Sequence, residues 1–420
     1  MNCRFFKSNI WIFRLTIIIL LITCSSNQKA PKVQTGLDRI AEYHHLFQGK
    51  RIGIITNHTA CNSNNQHILD VFFEMPDVTV TALFGPEHGI KGTAEAGKAI
   101  ESQADPLKKI PIYSLYGEVR KPTPEMLENI NILVFDIQDV GARFYTYIYT
   151  MSLAMGAAAE QGRQFVVLDR PNPINGIAVE GNILEPEFAT FVGLYPIPAR
   201  HGMTVGELAK MFNEEGWLEN GVKANLTIIP MKNWQRELFF DETGLSFIKP
   251  SPNMPDLKTG IVYPGACLIE GTNTSEGRGT TTPFQILGAP WIKGSDLADS
   301  LNNLQLPGVT FHDTTFTPVS IPGAAPQPKY QDQPCSGIKI VVTDRNRFKP
   351  YFTGMNIVNT IHQMYSDSLQ WRASHFDRLC GTAYIREAII NNRDIQMLQQ
   401  SWDDALEDFL KLRKKYLVYE

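Results

Sequence analysis

Cysteine is scarce in this chain, six residues in 420, and none of it falls in a CxxC spacing. A thiolate zinc site is therefore not expected. Once Cys3 and Cys24 are set aside, Cys61, Cys267, Cys335 and Cys380 remain, and isolated thiols are the expectation for them. No Lys/Arg run or basic-aromatic array is present, which argues against nucleic acid as a partner. No GxxxxGK[ST] occurs, so a P-loop nucleotide site is excluded. The turn after the first apolar run, Thr56-Asn57-His58-Thr59-Ala60-Cys61, contains no glycine. A dinucleotide pyrophosphate needs close backbone approach at that turn, and only glycine allows it. Neither HxH nor HExxH spacing is found, so a metal held by His58, His88, Asp136 and His201 is not expected either, and no cofactor is implied. Internal repeats and low-complexity tracts are missing as well.

Long apolar runs are also missing, with one exception near the start. Arg4, Lys7 and Arg14 precede the short apolar stretch Leu15 to Ile22, which ends in Leu21-Ile22-Thr23-Cys24. The stretch is too short to span a bilayer and has the layout of an export leader. Its end resembles a lipobox. Residues 1–23 are expected to be a lipoprotein signal peptide, with Cys24 lipidated and residues 24–35 a polar tether. The body would then be exported and held on a bacterial membrane through Cys24, on the periplasmic side. Loss of the three leader cations takes the formal net charge from −4 to −7, a mildly acidic surface.

Four short apolar runs each stop at polar residues. Arg51 to Ile55 ends in Thr56-Asn57-His58. Val78 to Ala82 leads into Leu83-Phe84-Gly85-Pro86-Glu87-His88-Gly89. Ile130 to Phe135 ends in Asp136-Ile137-Gln138-Asp139, and Phe165 to Leu168 in Asp169-Arg170-Pro171-Asn172-Pro173. Continuous apolar runs of this length read as strands buried on both faces. Helical segments lie between them: Asn65 to Phe73, a turn capped by Thr123 with Pro124 first, and the alanine-rich Met151 to Glu160. The pattern predicts an α/β fold with a Rossmann-like, mostly parallel, doubly wound sheet over residues 36–190. A second, smaller α/β domain is expected over residues 191–420, completing a cleft. In such sheets ligands bind outside the carboxyl ends of the strands. Asn57, Glu87, His88, Asp136, Gln138, Asp139, Asp169 and Arg170 are therefore expected to line one edge.

Glu87 stands out as the proton donor. Stiff Gly/Pro backbone holds it, and His88 beside it could orient it or bind a hydroxyl. Glycosidases commonly use two carboxyl groups. Glu276, on the Gly-rich stretch that also carries Glu270, is the candidate partner, with Asp136, Asp139 and Asp169 as rivals. Arg143, next to Phe144 and Tyr145, suits an acidic sugar: the guanidinium fork binds the acid and the rings stack on the sugar face. Arg170, Arg200 and Arg278 are alternatives. His201, at the entry of a helix capped by Thr204 and Glu207, and Asn253, in a long Pro-rich loop, complete the candidate binding set with Asn57, Asp136, Gln138, Arg143, Tyr145, Asp169, Arg170, Asn172 and Arg278.

Several long motifs stand in one order: Ile55-Thr56-Asn57, Phe84 to Gly89, Ser114-Leu115-Tyr116-Gly117, Phe135 to Tyr147, Asp169 to Pro173, Arg200 to Thr204, Pro250 to Pro255, Tyr263-Pro264-Gly265, and Glu270 to Asn273 followed by Ser275 to Thr280. Together they resemble the DUF1343 family, associated with exo-β-N-acetylmuramidases of the NamZ type, glycoside hydrolase family 171. The resemblance covers almost all of the chain after the leader. It implies a Rossmann-like domain joined to a smaller C-terminal domain with the site in the cleft between them. It implies release of terminal β-N-acetylmuramic acid from the non-reducing end of peptidoglycan fragments, with Glu87 as catalytic acid. The competing expectation from another class is a lipid-anchored periplasmic glycan-binding protein without turnover.

Overall fold

The computed structural model describes Met1 and residues 31–95, 97–98, 103–104 and 110–420. The leader, Cys24 and the tether up to residue 30 lie outside the described residues. From Lys32 to Glu420 the chain packs as one compact unit.

The apolar runs form a twisted sheet. Its strands are β1 (Lys50–Thr56), β2 (Val78–Gly85), β3 (Gln103–Ala104), β4 (Pro111–Ser114), β5 (Ile132–Asp136) and β6 (Gln164–Leu168). Two short strands, β7 (Glu180–Ile183) and β8 (Pro198–Arg200), pair separately, and β9 (Asn225–Ile229) returns to the sheet. The order across it is β3-β4-β2-β1-β5-β6-β9. All neighbours are parallel except β3 against β4. Counted in chain order, the six parallel strands follow the 3-2-1-4-5-6 arrangement of the Rossmann sheet. β1 is central and β2 and β5 flank it, so Ile52, Ile54, Ile55, Leu133, Val134 and Phe135 are almost completely buried. Covering helices on both faces explain why these strands show no polar alternation.

The C-terminal part is built on a smaller antiparallel sheet, β10 (Ile286–Ala289), β12 (Cys335–Val342) and β11 (Val309–Phe316) in that order. Helices Gly294–Asn303 and Pro350–Met364 pack near it, and four short helices from Ala373 to Lys414 follow. Cys61, Cys267, Cys335 and Cys380 are free thiols.

Two elements differ from the sequence expectation. The helix expected from Met151 begins at Tyr147, so Tyr147 and Tyr149 are buried helical residues. A helix also runs over Leu257–Ala266, where Pro264 and two glycines hide the helical signal. Asp256 caps it by accepting the backbone N–H of Thr259. Its glycine is a packing residue. A Cβ on Gly265 would lie 1.8 Å from the Pro350 carbonyl oxygen, and one on Gly354 would lie 2.3 Å from the Gly265 carbonyl oxygen. Helices Leu257–Ala266 and Pro350–Met364 therefore cross in backbone contact. Gly265→Ala is expected to cost about 1–3 kcal/mol through this overpacking. Denaturant unfolding checks it, and an unchanged midpoint would contradict the close crossing.

Candidate active site

β2 ends at Gly85, and the chain turns sharply at Pro86. Gly89 N–H donates to the Pro86 carbonyl (2.9 Å), and His88 takes a left-handed φ of 69°. This turn lifts Glu87 away from the sheet. Its Oε2 accepts the Thr146 hydroxyl (2.8 Å), and its Oε1 accepts the Gly97 N–H (2.9 Å). Thr146 stands at the N-cap of helix Tyr147–Glu160 but makes no side-chain cap bond, which leaves the hydroxyl for Glu87.

His88 is buried, and its Nδ1 lies 2.6 Å from the Ala94 carbonyl. A carbonyl only accepts, so Nδ1 carries the proton. Burial lowers the His88 pKa and outweighs the opposing pull of Glu87. The resting ring is thus neutral with Nε2 as a hydrogen-bond acceptor. Burial, helped by Glu87, pushes the Tyr116 phenol up and keeps it protonated.

Glu87, His88 and Tyr116 open into a hollow of about 130 Å3. Its lining comes from both halves of the chain: Phe144, Tyr145 and Thr146 from the first, Ser251, Asn253, Tyr263, Glu270 and Arg278 from the second. The hollow is smaller than the ~300 Å3 where pockets for drug-sized ligands begin. The aromatic wall is rigid. Ring centroids lie 5.5 Å apart for Phe144–Tyr263, 6.0 Å for Tyr145–Tyr263 and 5.0 Å for Tyr263–Phe284. The Tyr147 hydroxyl donates to the Pro250 carbonyl (2.7 Å), tying the two sides together. A larger hollow of about 610 Å3 lies elsewhere, but its acids are committed: Asp256 caps a helix and Asp241 pairs with Arg345 at 2.8 Å. We place the chemistry in the smaller one.

Glu270 is the second carboxylate on that wall among the described residues. Its Oε1 accepts both Nε (3.0 Å) and Nη2 (2.7 Å) of Arg278, while His375 Nε2 and Cys267 Sγ each lie 3.8 Å from Oε2. Burial works to raise the Glu270 pKa, but Arg278 and His375 outweigh it and hold the carboxyl well below the usual range. The Arg278 guanidinium also sits 5.1 Å over the Phe284 ring.

Of the residues singled out in the sequence, Glu87, His88, Tyr145, Asn253 and Arg278 line this hollow. Asn253 also donates to the Ala324 carbonyl (2.7 Å), pinning the loop opposite. The others lie off its wall. Glu276 sits behind Arg278 (3.4 Å) and pairs with Lys329 (2.9 Å). Arg143 is fully buried and donates to the carbonyls of Asn182, Ile197, Leu379 and Cys380, so its fork holds backbone. Asp136 is bridged by Arg170 through two bonds, Nε to Oδ1 and Nη2 to Oδ2, the latter 3.0 Å.

Asp169 accepts from Thr204 Oγ1, Gly206 N–H, the Tyr419 hydroxyl and Arg170 N–H, and burial pushes it up to about 6. Asn57 accepts Thr59 N–H and Oγ1. Gln138 donates to the carbonyls of Asp139 and Pro171. Asn172 spans Met203 and Ile174. His201 accepts Met203 N–H, and burial together with Arg413 and Arg200 lowers it to about 3. Its 3.8 Å approach to Asp139 therefore involves a neutral ring. These strand-end groups hold the loops in place and lie off the wall of this hollow.

Thr146, Tyr116, Tyr263 and Glu270 are wall residues that the candidate list lacks. Glu270 and Glu276 share one Gly-rich stretch, and the sequence holds no signal of which turns inward. Thr146 was masked by the aromatic run around it.

Comparison with known proteins divides the chain just after the loop that carries Ser251 and Asn253. A family model described as Exo-beta-N-acetylmuramidase NamZ, N-terminal, matches residues 52–258, and its C-terminal counterpart matches residues 261–419. The chain is 50% identical over 399 residues to a Bacillus subtilis protein named peptidoglycan beta-N-acetylmuramidase NamZ, covering 94% of each chain. Crystal structures of two DUF1343 family proteins from Bacteroides fragilis are also similar. One superposes with a TM-score of 0.85 at 36% identity, the other with 0.76 at 34%, each covering 93% of this chain and 99% of the other.

The Asp136–Arg170 bridge yields a prediction. Asp136→Asn strips the counter-charge from a buried guanidinium and is expected to cost about 3–5 kcal/mol of stability. Denaturant melts check this, and stability equal to the parent would show that the pair does not hold the loops.

Proposed function

We propose, for a chain that belongs to the exo-β-N-acetylmuramidase NamZ family, that Glu87 donates the proton that releases a terminal β-N-acetylmuramic acid from peptidoglycan fragments. The protein is a glycoside hydrolase of the N-acetylmuramidase class. The observation that carries the assignment of Glu87 is its position: a carboxyl group at the tip of β2, fixed by Thr146 and Gly97, opening into a hollow walled by both halves of the chain.

Cleavage of a glycosidic bond needs a proton on the leaving oxygen as positive charge builds at C1. Glu87 supplies it from the sheet side. His88 Nε2, an acceptor while the ring is neutral, binds a sugar hydroxyl. Tyr145 and Phe144 offer ring faces to the sugar. The small volume and the walls on both sides favour a chain end, as exo action requires. Asn253 and Ser251, on the Pro-rich loop of the second half, close the far side.

A chromogenic β-N-acetylmuramide tests this reading. Glu87→Gln is expected to lower kcat by about 10²–10⁴-fold with KM little changed. The loss should shrink for aglycones that leave easily, because they need less protonation. Full activity in Glu87→Gln removes Glu87 from the acid role, and binding without turnover by the parent protein makes it a glycan-binding protein instead.

Export and lipid attachment belong to the same proposal. The basic start, the apolar stretch Leu15 to Ile22 and Cys24 support anchoring outside the cytoplasm, where wall fragments are met. Cys24→Ser is expected to move the protein from the membrane to the soluble fraction on cell fractionation. Unaltered membrane retention would contradict the anchor.

A further inference from the structure

The same hollow has a chemistry that the acid role of Glu87 leaves unused. Glu270 is ionised, and the two strong donors from Arg278 both fall on one oxygen, Oε1. The other oxygen, Oε2, has only the weak 3.8 Å approaches of Cys267 and His375. A half-buried anionic oxygen without a full hydrogen bond carries a desolvation cost, and a ligand N–H relieves it. Next to it, Cys267 with the rings of Tyr263 and Phe284 makes an apolar nook. An acceptor beside a small apolar nook fits an acetamido group: the N–H meets Oε2 and the methyl enters the nook.

We propose that Glu270, Cys267, Tyr263 and Phe284 form the acetamido subsite, and that Glu270 holds the substrate's own acetamido group as the nucleophile of a substrate-assisted, retaining reaction. The inference rests on the glycosidase reading of the same hollow.

Two features favour this role over direct attack by Glu270. Its Oε1 is tied to Arg278 by both donors, which spreads and neutralises its charge and weakens it as a nucleophile. The two carboxylates also sit in contrasting environments: Glu87 at the end of a strand among uncharged donors, Glu270 in a wall fixed by a cation. Such contrast is how one site divides two carboxyl roles.

The step balances. The acetamido carbonyl oxygen forms a bond to C1 as the C1–O bond to the aglycone breaks. Glu87 gives its proton to the departing oxygen. Glu270 Oε2 accepts the amide proton, leaving a neutral oxazoline. Water then adds to C1, giving its proton to Glu87. As it adds, the oxazoline C1–O bond breaks, and Glu270 returns the proton to nitrogen. The product keeps the β configuration.

The test uses the full protein and chromogenic β-muramides carrying N-acetyl, N-fluoroacetyl, N-difluoroacetyl and N-trifluoroacetyl groups. Fluorine drains the carbonyl oxygen of nucleophilicity. The rate is expected to fall stepwise, by roughly 10²-fold or more over the series, because a positioned internal nucleophile supplies much of the acceleration. Proton NMR should show β-muramic acid forming first. Glu270→Gln should lower kcat strongly while Glu270→Asp recovers part of it, and the fluorine series on the parent protein stands whether or not these variants fold. A flat fluorine series, or first formation of the α product, overturns the proposal. So does a mass-spectrometric adduct of a 2-deoxy-2-fluoro muramide on Glu270, which would make that residue the nucleophile. If the N-acetyl substrate itself is not cleaved, the glycosidase reading fails first and separately.

Discussion

Two hydrogen bonds to one carboxyl group govern this site. Thr146 and Gly97 grip the two oxygens of Glu87 from different segments, and neither donor is charged. A glutamate side chain has three rotatable bonds and would otherwise sweep a wide arc. Held this way, it keeps one position at the mouth of the hollow. Thr146 can do this because it gives up its cap bond on helix Tyr147–Glu160. That helix in turn is fixed by Tyr147, which donates to the Pro250 carbonyl of the second half. The position of the acid is thus tied to the way the two halves meet.

The polar ends of the other strands carry a different load. Asp136, Asp169, Asn57, Gln138 and Arg143 are buried and bonded to neighbouring backbone or to each other. Long loops cross above the sheet here, and their backbone groups need partners where water is shut out. The strand ends supply them. Arg143 is the clearest case: its fork gathers carbonyls from residues 182, 197, 379 and 380 into one node. The residues that resemble a polyvalent binding edge form the frame on which a much smaller site is mounted.

This division explains what could be read in the sequence. The parallel sheet was legible because continuous apolar runs between helical segments have few other solutions. Glu87 was legible because it stands on a Gly/Pro-shaped turn at the end of β2. The inward turn of Asp136 was not legible, since it depends on Arg170, 34 residues further on, arriving with its fork in plane. Nor was the choice between Glu270 and Glu276, which is settled by where Arg278 and Lys329 stand. The helix Leu257–Ala266 escaped because its Pro and Gly serve a close crossing with Gly354, a tertiary requirement that overrides local propensity.

The reaction depends on a place and a distance. A crystal structure of the protein with N-acetylmuramic acid bound measures both. The account predicts the sugar in the hollow between Glu87 and Glu270, with its anomeric oxygen about 2.6–3.2 Å from a Glu87 carboxyl oxygen. A sugar bound in the larger hollow beside Asp241 and Lys339, or one in the smaller hollow with its anomeric carbon turned away from Glu87, would contradict it.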